Sequence, residues 1–157
     1  MKIIGIDPGT GITGFGVINA NNSHDVKFLD AGVIRTEANS PQAERLREIY
    51  ECVSQLIDEH KPDCMAIEKL FFTNNITTAM TVSEARGTVL LAAAQAELDI
   101  YEYSPPQIKM GVTGYGAADK NQVQEMVKNI LKLKSIPKPD DAADGLAVAI
   151  TCAFSET

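Results

Sequence analysis

Long apolar runs are missing from this chain. None nears the roughly 20 residues that span a bilayer, which excludes a membrane partner from the reading. Cysteine is scarce and scattered: Cys52, Cys64 and Cys152 show no CxxC spacing. An odd count without a metal-binding pattern reads as reduced thiols, not as a disulfide frame or zinc site. The apolar stretch of Met1–Asp7 is too short for a secretory signal and ends in an acid, so a cytoplasmic location is expected. No GxxxxGK[ST] segment is present, which argues against a P-loop enzyme. Internal repeats and low-complexity segments are absent too.

Positive charge is also short. The net charge is −7, whereas a nucleic-acid partner usually calls for a basic footprint. The distribution is uneven, however. Residues 37–68 hold eight acids against three Arg or Lys, and residues 101–140 hold six lysines against four acids. The second half of the chain suits a polyanion better than the first.

What is present suits one domain, residues 1–157, with 45% hydrophobic content for a core. Residues 2–7 read as a buried strand and Pro8-Gly9-Thr10-Gly11 as a turn. Strands over 12–20 and 26–35, joined at Asn21-Asn22-Ser23, complete an antiparallel meander. Ser40-Pro41 predicts a helix start, with serine as N-cap and proline at the first helical position. Leu46, Ile49, Val53, Leu56 and Ile57 give that helix one apolar face, and Lys61-Pro62 ends it. A short strand over 63–68 ends in Glu68. A helix over about 75–97 is rich in small residues; it reads equally as a core helix or as one that pairs across a two-fold axis.

A strand over 99–103 is broken by Ser104-Pro105-Pro106, and Gly111–Gly116 reads as a loop. Asp119 with Gln122 resembles a capping box ahead of another helix, and a last helix covers about Asp140–Phe154. Strands alternating with helices after an antiparallel start imply an α/β fold: a mixed five-stranded sheet with helices on both faces.

Four acids lie at element ends: Asp7, Glu68, Asp141 and Asp144. Singly, each has a plain explanation. Asp7 precedes a Pro-Gly turn, and Asp141 and Asp144 complement a helix dipole. Glu68 is harder to dismiss, because Met-Ala-Ile precedes it and Leu-Phe-Phe follows one residue later. If the first and fourth strands are parallel neighbours, Asp7 and Glu68 emerge together beyond the strand ends, where such sheets bind ligands. Asp141 and Asp144 share a helix face. Four converging carboxylates repel unless cations neutralise them. Hard oxygen ligands suit Mg²⁺, with Mn²⁺ possible, and a pair of such ions hydrolyses phosphodiesters.

The segments "GIDPGTGITGFGV", "AIEKLFFTNN", "EARG", "KNQVQEMV" and "DDAADGLAVAIT" occur in order along the chain. Together they closely resemble the RuvC family, bacterial Holliday junction resolvases of the ribonuclease H-like superfamily. The resemblance implies a ribonuclease H-like fold, a homodimer, a four-way DNA junction as substrate, and a RuvA–RuvB branch-migration motor as partner. It places the catalytic, metal-holding acids on Asp7, Glu68, Asp141 and Asp144, with two ions per subunit; Asp140 falls outside the set. It places the aromatic residue at the junction crossover on Phe71, with Phe72 as its support or substitute. DNA-contacting lysines fall on Lys109 and Lys120, while Thr10 and Lys69 lie beside the acids within reach of phosphate. The opening glycines are expected to let the turn approach metal and phosphate unobstructed.

Three other readings compete. An actin or sugar-kinase type protein also opens with Asp and a glycine turn, but it needs a second glycine-rich aspartate segment, which is absent here. A smaller relative of the same superfold that processes RNA is another, and against it "EKLFF" and "DDAADGLA" favour the resolvase. A non-catalytic junction scaffold would not need all four acids.

Overall fold

The computed structural model describes residues 1–22, 25–69 and 75–156. Its first strands, β1 (Lys2–Asp7), β2 (Ile12–Asn22) and β3 (Asp25–Arg35), form the antiparallel meander. Next come α1 (Gln42–His60), β4 (Cys64–Glu68), α2 (Ile76–Gln95) and β5 (Asp99–Tyr103). Three helices close the chain: α3 (Pro105–Thr113), α4 (Lys120–Ile130) and α5 (Asp140–Glu156). The sheet order is β3-β2-β1-β4-β5, and β4 runs parallel to both β1 and β5.

Strand alternation divides two cores between the faces of this sheet. Ile4 and Ile6 of β1, with Met65 and Ile67 of β4, pack against Ile49 and Val53 of α1 and Val89 of α2. Ile3 of β1, with Cys64 and Ala66 of β4, packs on the other side with α3, α4 and α5. No helix among the described residues is long and apolar enough to cross a membrane.

Helix α5 lies closer to the sheet than side chains normally permit. A methyl on Gly5 would sit 2.3 Å from the Gly145 carbonyl oxygen, and one on Gly14 would sit 1.8 Å from the Asp141 carbonyl oxygen. One on Gly16 would meet the Leu146 side chain at 2.6 Å. These glycines are a seat for α5. The expectation that the glycines after Asp7 clear a path for metal and phosphate is corrected for Gly14 and Gly16.

Two further expectations differ from the structure. Ser40 makes no cap: Pro41 holds the cap position in an extended conformation, and no side chain bonds to the α1 N-terminus. Proline's fixed φ suits both the cap and the first helical turn, so sequence does not separate the two. Pro105 and Pro106 end β5 as read, but they also open α3, which runs into the loop expected over Gly111–Gly116. Ser104 and Gln107 form a reciprocal capping box around them, so Gly111 lies within a helix. The Asp119–Gln122 box at α4 forms as expected, with both bonds at 2.8 Å.

Candidate active site

Asp7 is the last residue of β1 and Glu68 the last of β4, and the two strands are parallel neighbours in register at Ile6 and Ile67. Alternation sends Asp7 to the face of Ile3 and Gly5, and Glu68 to the face of Cys64 and Ala66. That is the face α5 covers. The glycine seat then sets the first turns of α5 beside the strand ends. One carboxylate oxygen from each of Asp7, Asp141 and Asp144 lies within 4.8 Å of the others.

Asp7 lies close to both Glu68 and Asp144, carboxyl group beside carboxyl group. Ionised together at this spacing they repel one another. Burial, contact with Glu68 and the charge of Asp141 push Asp7 up to about 8. Burial and the charge of Asp7 push Asp144 up to about 6, against the opposing pull of Lys120. Clustered hard oxygen donors that resist ionising together fit a divalent cation.

A cleft of about 400 Å³ opens on Asp7, Glu68 and Asp144. Its walls include Lys109 from α3 and Lys120, the first residue of α4. Lys120 Nζ stands 3.7 Å from Asp144 Oδ2 and 3.9 Å from Asp140 Oδ2. Asp140 also accepts a hydrogen bond from Lys138 Nζ at 3.1 Å, which holds its carboxyl below the usual range. It lies outside the triad of acids, as expected. Lys69 is exposed at a smaller neighbouring cleft that shares Asp7 and Glu68.

Thr10 departs from its expected place. The residue is buried, and its hydroxyl is enclosed without a hydrogen-bond partner among the described residues. A hydroxyl so enclosed is not offered to a phosphate. Phe71 and Phe72 lie outside the described residues.

Sequence reasoning assigned no role to Arg86. Its guanidinium Nη2 donates to Glu102 of β5 at 2.7 Å, and Nε donates to the Glu68 backbone carbonyl at 3.4 Å. Arg86 also lines the smaller cleft. The signal was present in "EARG", but both partners come from strands distant in sequence.

This sheet, with an antiparallel start, parallel end, helices on both faces and acids at the central strand ends, defines a ribonuclease H-like protein. Residues 3–152 match the family described as crossover junction endodeoxyribonuclease RuvC, and the chain belongs to that family. The RuvC of Brevibacillus brevis is 51% identical over 151 residues, covering 96% of this chain and 90% of its own. That of Heliobacterium modesticaldum is 51% identical over 157 residues, covering 100% and 96%. A solved structure of Thermus thermophilus RuvC with Holliday junction substrate superposes with a TM-score of 0.93 at 37% identity. It covers 98% of this chain and 93% of that one. The yeast mitochondrial resolvase Ydc2 shares the fold, with a TM-score of 0.66 at 14% identity.

Proposed function

We propose that this chain is a structure-selective endonuclease that resolves Holliday junctions in recombination and repair by paired symmetric nicks. Family membership supports this reading. The single observation that carries it is the convergence of Asp7, Asp141 and Asp144 beside a cleft also lined by Glu68, Lys109 and Lys120. The four acids are the catalytic set and hold Mg²⁺ (or Mn²⁺), two ions per subunit. Ions bound there supply an activated water and charge to stabilise the leaving oxygen. Asp7, from the central strand, orients the set. Lys120 offsets the charge of Asp144, and Lys109 and Lys69 face the scissile backbone from either side. Phe71, with Phe72, stacks on bases where strands part.

The working unit is a homodimer. Junction symmetry asks for two identical sites, and a two-fold pair supplies them. Helix α2 is the pairing element. Its inner face buries Ala85, Val89 and Ala93, while the opposite face exposes Ile76 (73%), Met80 (63%) and Leu91 (52%). Gly87, between them, has no atom near the position of a side chain, which leaves room for a second backbone. Residues 1–157 act as one nuclease domain in the cytoplasm, alongside a RuvA–RuvB motor.

Purified protein with Mg²⁺ cuts a synthetic four-way junction into paired nicked duplexes. Asp7→Asn and Glu68→Gln abolish cutting but keep junction binding. Cleavage by either variant at the parent rate refutes the metal-site assignment. Junction binding as tight in chelator as in Mg²⁺ contradicts the role of metal in offsetting the acidic charge. ATP hydrolysis by the purified chain favours the kinase-like alternative.

A further inference from the structure

The proposed cutting site accounts for Lys109 and Lys120 but leaves another cluster unused. From Lys128 to Pro139 the chain carries four lysines, Lys128, Lys132, Lys134 and Lys138, and no acid. This is the segment that leaves α4 and enters α5. Its backbone is tied down: the Leu131 amide donates to the Val127 carbonyl, and the Leu133 amide donates to that of Lys128. Leu131 is buried and Leu133 packs on the same core, so their lysine neighbours face outward. Lys132 and Lys134 are exposed, and neither forms an ion pair among the described residues.

The segment is continuous with the cleft. Asp140 accepts Lys138 at 3.1 Å and stands 3.9 Å from Lys120, so one carboxylate joins the cleft lysine to the linker lysine. On its outer side the linker lines a groove of about 310 Å³ against β3, with Lys134 and Lys138 on one wall and Phe28 on the other. A chain of net charge −7 has few places where unpaired cations stand together.

We propose that the α4–α5 linker is a second DNA contact, in which Lys132 and Lys134 hold backbone phosphates of a duplex arm beyond the cutting site. The inference rests on the resolvase reading. Its chemistry is charge neutralisation with counterion release, so it carries affinity and salt dependence, not sequence choice.

The test measures binding of a labelled four-way junction in Mg²⁺ across 50–200 mM salt, the range over which phosphate contacts are most visible. The Glu68→Gln protein serves as parent, so that the junction stays whole. Adding Lys132→Gln and Lys134→Gln makes the slope of log affinity against log salt shallower by about 0.9 per lysine, about 1.8 for the pair. The conservative Lys132→Arg with Lys134→Arg restores the slope. Arg47→Gln, on α1 across the sheet, leaves it unchanged. Without the Glu68 substitution, the Lys132→Gln, Lys134→Gln protein cuts a saturating junction at the parent kcat with a raised KM. An unchanged slope in the double variant, or weaker binding with no slope change, overturns the proposal. A parent that binds no junction at all overturns the resolvase reading and this inference with it.

Discussion

At the residue scale, the carboxylates at the strand ends set the energetics. Asp7 is pushed up to about 8 and Asp144 to about 6, from an ordinary value of 3.8 in the unfolded chain. Through that interval the folded protein retains protons that the unfolded chain has released. The associated stability is full below about pH 4 and is lost as pH rises through 6 and then 8. Metal-free Asp7→Asn escapes this loss. Thermal unfolding in chelator shows it more stable than the parent at pH 8, by a few kcal/mol, with the gap closing toward pH 4. A gap that ignores pH contradicts the argument. Because ligand carboxylates must shed protons to bind a cation, apparent metal affinity climbs over the same interval.

Arg86 makes a separate prediction at this scale. It anchors the backbone of Glu68 and the side chain of Glu102 at once. Arg86→Leu releases the end of β4, and Glu102 with it, without altering any of the four acids. Cutting falls about 10–100-fold, the range for partners that orient metal ligands. The Mg²⁺ concentration for half-maximal rate rises as well, which a purely structural loss does not produce.

At the element scale, α5 is placed by what the sheet omits. Gly5→Ala puts a methyl 2.3 Å from the Gly145 carbonyl. The helix must lift, at about 1–3 kcal/mol for overpacking, and it carries Asp141 and Asp144 away from Asp7. Denaturant unfolding shows the stability loss, and the cutting assay shows a larger one. This seat was not legible in the sequence. Gly5, Gly14 and Gly16 fall in strands, where the pattern gives a glycine no purpose, and only their tertiary pairing with α5 supplies one. The strands were legible, because Ile3, Ile4 and Ile6 end abruptly in an acid. So were the two pairs of acids, Asp7 with Glu68 at parallel strand ends and Asp141 with Asp144 on one helix face; that the pairs meet was implied by the resemblance alone, because it depends on the seat of α5. Helix α3 was hidden by its two prolines, which stop a strand and start a helix with the same chemistry. With it went the setting of Lys109, which stands on α3.

At the scale of the whole molecule, the proposed dimer rests on α2. Met80→Glu with Leu91→Glu sets charges on an apolar stripe that is exposed among the described residues. The fold keeps its stability because neither side chain belongs to the core. Sedimentation shows monomers, and junctions incubated with the variant accumulate single nicks in place of paired ones. A dimer that survives both charges rules out the α2 stripe as the pairing surface.

The sheet order also has a consequence in time. The acids come from a strand at the start of the chain, a strand in its middle and a helix near its end, and β1 acquires its parallel neighbour only after α1 is made. No growing or broken chain that stops before residue 144 holds the full set. Under the proposed mechanism, synthesis and folding therefore act as a lock: no cut is made until residue 144 is in place and α5 has docked on the sheet.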